Sequence, residues 1–228
     1  APRLICDLDG TLADSAPSLC AAGNRLLGEL GRAPVTVATY VGFVGRGQRV
    51  QVTRLLEATG GVPGGDVAPW LARFRALYDP LEATTPYAGA AAALAALRAE
   101  GWRVGVCTQK PEAKARTLLA GLGLPVDAVA GGDSVRGPSG DEVLKPDPRV
   151  LAAAADPLGP GPAVYVGDSE TDAETAAAGG LPFLLHLGGY GAGATPADAA
   201  FADWAEVPAL ARRLAGVAPP AAGSGPPG

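Results

Sequence analysis

Short apolar runs, each closed by Gly, Asp or Thr, mark five places along the chain: Leu4–Asp7, Arg103–Thr108, Ala128–Gly131, Ala163–Gly167 and Leu181–His186. They do not alternate apolar with polar. Unbroken apolar runs of this length suit strands buried on both faces, as in a parallel sheet covered by helices on each side. Helical stretches lie between the later runs. Ala88–Glu100 is rich in Ala, Leu and Arg and stops at Gly101. Pro111 to Leu122 begins with Pro in its first turn, and Thr171–Ala178 ends at Gly179-Gly180. Strand and helix in alternation predict an α/β fold, a doubly wound Rossmann-like parallel sheet.

Residues 17–85 break that rhythm. They hold no convincing strand, and Leu19–Leu30, Gln48–Ala58 and Val67–Leu77 carry amphipathic helical spacing. The expected organisation is an α/β core over 1–16 and 86–216, with a small all-helical cap at 17–85 inserted after the first strand. The Pro, Gly, Ala and Ser of 217–228 predict a weakly ordered tail.

Chemistry concentrates at the ends of the predicted strands. Asp7 and Asp9 flank Leu8, so in extended backbone both project the same way. Gly10 lets the chain turn abruptly, and Thr11 adds a hydroxyl. Thr108 closes the second strand just before a helix, where a hydroxyl and free backbone N–H groups suit an anion; the same position suits a helix N-cap. Lys145 stands before Pro146, Asp168 terminates another strand, and Asp172 follows one helical turn later. Asp172 fits a cation site, the alternative being the positive end of its helix. Crowded carboxylates need a cation or a proton to relieve their repulsion. Oxygen ligands without a His or Cys cluster favour Mg²⁺ over zinc. Such a site suits phosphoryl transfer, with Thr108 and Lys145 holding the phosphoryl oxygens.

Composition narrows the partners. The 228 residues carry a net charge of −5 with no basic block, which argues against nucleic acid and anionic membranes. No apolar run approaches the roughly 18 residues a bilayer span needs. The first residues enter a strand pattern directly, and three scattered cysteines (Cys6, Cys20, Cys107) do not read as a disulfide framework. A cytoplasmic protein, monomer or homodimer, is the expectation. His186, the single histidine, ends an apolar strand and reads as structural.

Asp7-Leu8-Asp9-Gly10-Thr11-Leu12, Thr108, Lys145-Pro146 and Gly167-Asp168-Ser169-Glu170-Thr171-Asp172, in that order and spacing, resemble the four motifs of the haloacid dehalogenase-like hydrolases. Asp14-Ser15, Tyr40 to Gly47, Gly131 to Ser134, Lys145 to Pro148 and Gly188 to Gly191 are similar to the phosphoglycolate phosphatase group within them. The resemblance implies a Mg²⁺-dependent phosphatase of a small phosphorylated metabolite, 2-phosphoglycolate first. It makes Asp7 the nucleophile that forms an aspartyl-phosphate, and Asp9 the acid and base. Mg²⁺ would be held by an Asp7 oxygen, the Asp9 carbonyl and Asp168, with Asp172 in support. Gly10, Thr11 and Gln109 would border the substrate, Gln109 standing where Asn is common. Arg46, between Gly45 and Gly47, meets a substrate anion or forms an exposed turn. Alternatives are a β-phosphoglucomutase-like phosphotransferase and a low-turnover phosphate-sensing protein on the same fold.

Overall fold

A computed structural model describes residues 1–191 and 195–219. Most of the expected tail, 220–228, lies outside the described residues. The strands are β1 (Arg3–Cys6), β2 (Ala13–Asp14), β3 (Thr85–Pro86), β4 (Arg103–Cys107), β5 (Ala128–Ala130), β6 (Ala163–Gly167), β7 (Phe183–His186) and β8 (Ala199–Phe201). The helices are α1 (Ala16–Glu29), α2 (Val37–Val41), α3 (Gln48–Ala58), α4 (Ala68–Leu77), α5 (Ala90–Ala99), α6 (Glu112–Gly121), α7 (Pro148–Ala155), α8 (Glu170–Ala178) and α9 (Val207–Ala215). No helix among the described residues is long and apolar enough to cross a membrane.

Six strands form one sheet in the order β5-β4-β1-β6-β7-β8, every neighbouring pair parallel. The apolar runs anticipated this, because successive residues of each strand feed opposite cores. Leu4 and Cys6 of β1, with Val104, Val106, Val164 and Val166, pack toward α5, α6 and α9. Ile5, Cys107, Tyr165 and Leu185 pack toward α7 and α8. All three cysteines are free and buried.

The chain leaves the sheet after β1 and adds β4 and β5 on one side. It then returns to place β6 against the other edge of β1. Crevices in open α/β sheets form at such a reversal, outside the carboxyl ends of the strands. Asp7 follows β1, Thr108 follows β4, and Asp168 follows β6, so three neighbouring strands deliver these side chains to one rim.

β2 and β3 pair antiparallel, Ala13 with Pro86 and Asp14 with Thr85, where the chain departs toward α1 and returns after α4. The four intervening helices share a cluster of their own, with Leu26, Leu27, Tyr40, Val52, Leu55, Leu56 and Phe74 fully buried. Their apolar stripes thus face one another rather than the sheet.

Candidate active site

Asp7, Asp168 and Asp172 converge, each offering a carboxylate oxygen within 4.8 Å of the others. The Lys145 ammonium enters this cluster, 2.9 Å from Asp7 Oδ1 and 2.7 Å from Asp172 Oδ1, with the Tyr165 hydroxyl at 3.4 Å. The Lys145–Pro146 peptide is cis. Thr108 is buried at the end of β4 and lines the same cleft as Asp7, Asp9 and Lys145. Its Oγ1 accepts the Lys110 backbone N–H (3.2 Å), which leaves the hydroxyl proton for another acceptor.

Buried close together, these carboxylates repel one another. Burial, then Asp172, pushes the Asp7 carboxyl well above the usual carboxylate range, with Asp168 and Asp9 adding and Lys145 opposing. Burial and Asp172 push Asp168 up to about 7, against the Tyr190 N–H and the Thr11 hydroxyl. Burial alone would discharge Lys145, but Asp172 and Asp7 hold its value above the ordinary lysine range.

Lone pairs sort the three acids. Asp172 Oδ1 accepts from Lys145 and from the Tyr165 hydroxyl (3.2 Å). Its Oδ2 accepts from the backbone N–H groups of Asp168 and Ser169 and from Ser169 Oγ. A carboxylate offers about four lone-pair sites, so Asp172 is saturated. Asp168 accepts from Thr11 Oγ1 (2.9 Å) on Oδ1 and from Tyr190 and Gly191 N–H on Oδ2. Asp7 is ion-paired with Lys145 at 2.9 Å, and its carboxylate accepts no hydrogen bond among the described residues. Room for a cation therefore lies with Asp7 and Asp168, while Asp172 anchors Lys145 and caps α8. The Asp9 main-chain carbonyl takes part in no hydrogen bond among the described residues.

The Asp9 side chain points elsewhere than the cluster, and the residue it meets was not anticipated. Lys110 Nζ lies 3.0 Å from Asp9 Oδ1 and donates to the Tyr78 hydroxyl at 2.6 Å, over the Tyr78 ring. Ser15 Oγ donates to the same Asp9 oxygen. Asp9 Oδ2 has no partner among the described residues, and Asp9 lines the cleft. Burial lowers the Lys110 value, but Asp9 and Tyr78 outweigh it, so the ammonium is kept charged. A lysine two residues past the strand-end threonine is a weak signal in sequence. Its partner Tyr78 is 32 residues away.

Three expected substrate neighbours are placed otherwise. Thr11 spends its hydroxyl on Asp168, and neither Thr11 nor Gly10 lines the cleft. Gly10 adopts φ 87°, and a Cβ there would come within 2.5 Å of Asp168 Oδ2. Arg46 is exposed and does not line the cleft, because it stands on a turn whose flanking Gly45 and Gly47 make the wall. Gln109 does line it. Its Nε2 donates to the Gly45 carbonyl at 2.9 Å, tying the end of β4 to the helical segment, and its Oε1 is buried with no partner among the described residues.

A model of the haloacid dehalogenase-like hydrolases matches residues 3–180. A phosphoglycolate phosphatase of Cereibacter sphaeroides is 44% identical over 221 residues, covering 93% of this chain and 99% of the relative. One from Rhodospirillum rubrum is 44% identical over 198 residues, covering 82% and 80%. Among solved structures, a predicted phosphoglycolate phosphatase of Haemophilus somnus superposes with TM-score 0.81 at 23% identity, covering 91% of this chain and 96% of that one. The chain belongs to the haloacid dehalogenase-like hydrolases, in their phosphoglycolate phosphatase-like group, and is a phosphoric monoester hydrolase.

Proposed function

We propose that this hydrolase splits a small phosphate monoester, 2-phosphoglycolate foremost, through an aspartyl-phosphate on Asp7 and with Mg²⁺ as cofactor. One observation carries the reading: Asp7 keeps unshared lone pairs while Lys145 fixes its orientation beside Thr108 and Asp168.

The donor set fits Mg²⁺. Buried carboxylates and a free carbonyl are hard oxygen ligands, and the raised Asp7 and Asp168 values signal repulsion that a divalent cation relieves. Asp7, Asp168 and the Asp9 carbonyl would hold it, where it would neutralise negative charge and polarise the phosphoryl oxygens.

An Asp7 carboxylate oxygen attacks phosphorus as the bond to the ester oxygen breaks. The unpartnered Asp9 Oδ2 brings a proton to that oxygen and releases the alcohol. Asp9 then takes a proton from water as the water oxygen bonds to phosphorus. Cleavage of the Asp7–phosphoryl bond frees inorganic phosphate. Lys145 and the Thr108 hydroxyl donate to phosphoryl oxygens throughout. The helical segment, through Val44, Gly45, Gly47, Gln48 and Gln51, covers the cleft and excludes bulk water. Relatives named for 2-phosphoglycolate support that substrate.

Phosphate release from 2-phosphoglycolate in Mg²⁺ is expected, lost on chelation and lost in Asp7→Asn with the fold intact. Absence of phosphate release from a panel of small esters by the Mg²⁺-loaded protein would overturn the proposal.

A further inference from the structure

Gln48 is a buried polar side chain on the helical wall of the cleft, 8% exposed, beside Gln51, whose Nε2 donates to the Tyr40 hydroxyl at 2.8 Å. Chemistry fixes the orientation of its amide. Arg75 Nε lies 2.9 Å from Gln48 Oε1, and a guanidinium has donors only, so the amide oxygen must face Arg75. The amide nitrogen, with two N–H donors, is engaged by no hydrogen bond among the described residues, and Gln48 lines the cleft. Arg75 is held from behind by Glu142 at 3.5 Å.

A second feature adds donors at the same place. Gln48 is the first residue of α3, whose N-cap is Gly47 at φ 83°. Glycine has no side chain to accept the first-turn N–H groups, and none is capped by a side chain. The two lysines lining the cleft are already committed, Lys110 to Asp9 and Tyr78 and Lys145 to Asp7 and Asp172. Gln109 Oε1 is buried with no partner among the described residues.

We infer that Gln48, turned by Arg75, is a specificity-determining residue that donates hydrogen bonds to a carboxylate on the leaving-group end of the substrate. The inference rests on the phosphatase reading of the cleft and deepens it to a class: short phosphate monoesters bearing a carboxylate. The free amide N–H groups of Gln48 suit a ligand group that only accepts, such as a carboxylate. The cavity volume is about 40 Å³. One water needs roughly 10–15 Å³ on this measure, so the group beyond the phosphate is short.

The test compares 2-phosphoglycolate with ethyl phosphate, which has the same chain length and no carboxylate, in wild type, Gln48→Met and Arg75→Met with Mg²⁺. Met keeps the length of Gln and removes the donors. Hydrogen bonds to charged groups predict a fall of about 10- to 100-fold in kcat/KM for 2-phosphoglycolate in Gln48→Met, taken mainly in KM. Ethyl phosphate should change less than about threefold, since it makes no such bond. Arg75→Met frees the amide to rotate and should fall in the same direction by less. Equal losses on both substrates, or none on either, would overturn the inference. If Gln48→Met does not fold by circular dichroism, the Arg75→Met comparison decides alone by the same criterion. Wild type that cleaves both esters without preferring the acid sinks this inference only, whereas wild type that cleaves neither sinks the phosphatase proposal.

Discussion

Replacing Lys110 by Met keeps most of the side-chain volume and removes the ammonium from between Asp9 and Tyr78. The Lys110 and Asp9 side chains are 2% and 15% exposed, and the ion pair spans 3.0 Å. At an effective dielectric near 20 the Coulomb attraction at that distance is about 5 kcal/mol, an upper bound before desolvation is set against it. Removing one partner of a buried pair costs about 3–5 kcal/mol. Asp9 keeps Ser15 and borders the cleft, so about 3 kcal/mol applies. For a chain of this size that lowers Tm by roughly 6–12 °C. The catalytic effect should be selective. With Lys110 and Ser15 both on Oδ1, the other Asp9 oxygen is left for the proton transfer proposed above; without Lys110 the carboxyl can turn about its bond. General acid catalysis is worth roughly 10²- to 10⁴-fold, and misdirecting it should lose about 10- to 100-fold in kcat on an alkyl phosphate. p-Nitrophenyl phosphate has a leaving group that needs little protonation, so its kcat should fall much less. Steady-state kinetics on both substrates, below the lowered Tm, read the difference. Equal declines would refute the assignment of Lys110 as a positioning residue for the acid.

Three further outcomes follow from the geometry. Asp168, pushed up to about 7, holds a proton at lower pH that a cation must displace. The dissociation constant for Mg²⁺ by calorimetry should therefore rise at least about tenfold per unit as pH falls below about 7, since Asp7 is raised too; a flat profile contradicts this. Gly10→Ala would place a Cβ 2.5 Å from Asp168 Oδ2 at φ 87°. It should lose roughly 1–2 kcal/mol in urea unfolding and raise the Mg²⁺ concentration for half-maximal rate, and retention of both refutes the contact. His186 is buried against Tyr87, Phe201 and Trp204, which lowers its value, while its Nδ1 meets the Gly10 carbonyl at 2.9 Å. The unfolded chain takes up that proton first, so wild type should lose stability as pH falls through the ordinary histidine range, with a steeper slope than His186→Phe; matching slopes would dismiss the effect.

The sheet was legible because each β1, β4, β6 and β7 residue is buried on one face or the other, and two-sided burial writes an unbroken apolar run. β8 escaped because Ala199-Ala200-Phe201 is three residues long with little β-branched character. α2 escaped because Val37-Ala38-Thr39-Tyr40-Val41 is rich in residues that favour strands; its Thr36 cap and the burial of Tyr40 override that preference. At the site, Asp7, Thr108, Lys145, Asp168 and Asp172 could be located because each stands at a strand or helix boundary, where local pattern reports position. Lys110 and Gln48 could not, since their roles come from Tyr78 and Arg75, contacts between segments that no local periodicity encodes. Arg46 drew attention by its charge between two glycines, but a long charged side chain on a glycine turn gains more from water than from burial.

Tyr190 touches two places at once. Its backbone N–H binds Asp168 Oδ2, while its hydroxyl accepts the N–H groups of Ser15 and Ala16 and donates to Asp14. Those three residues are the stalk from which α1 to α4 depart. One residue thus couples the loop that would grip a cation to the base of the helical segment. Thermodynamic reciprocity then binds the two: whatever factor a filled cleft applies to the affinity for the ion, the ion returns to the affinity for the cleft's occupant.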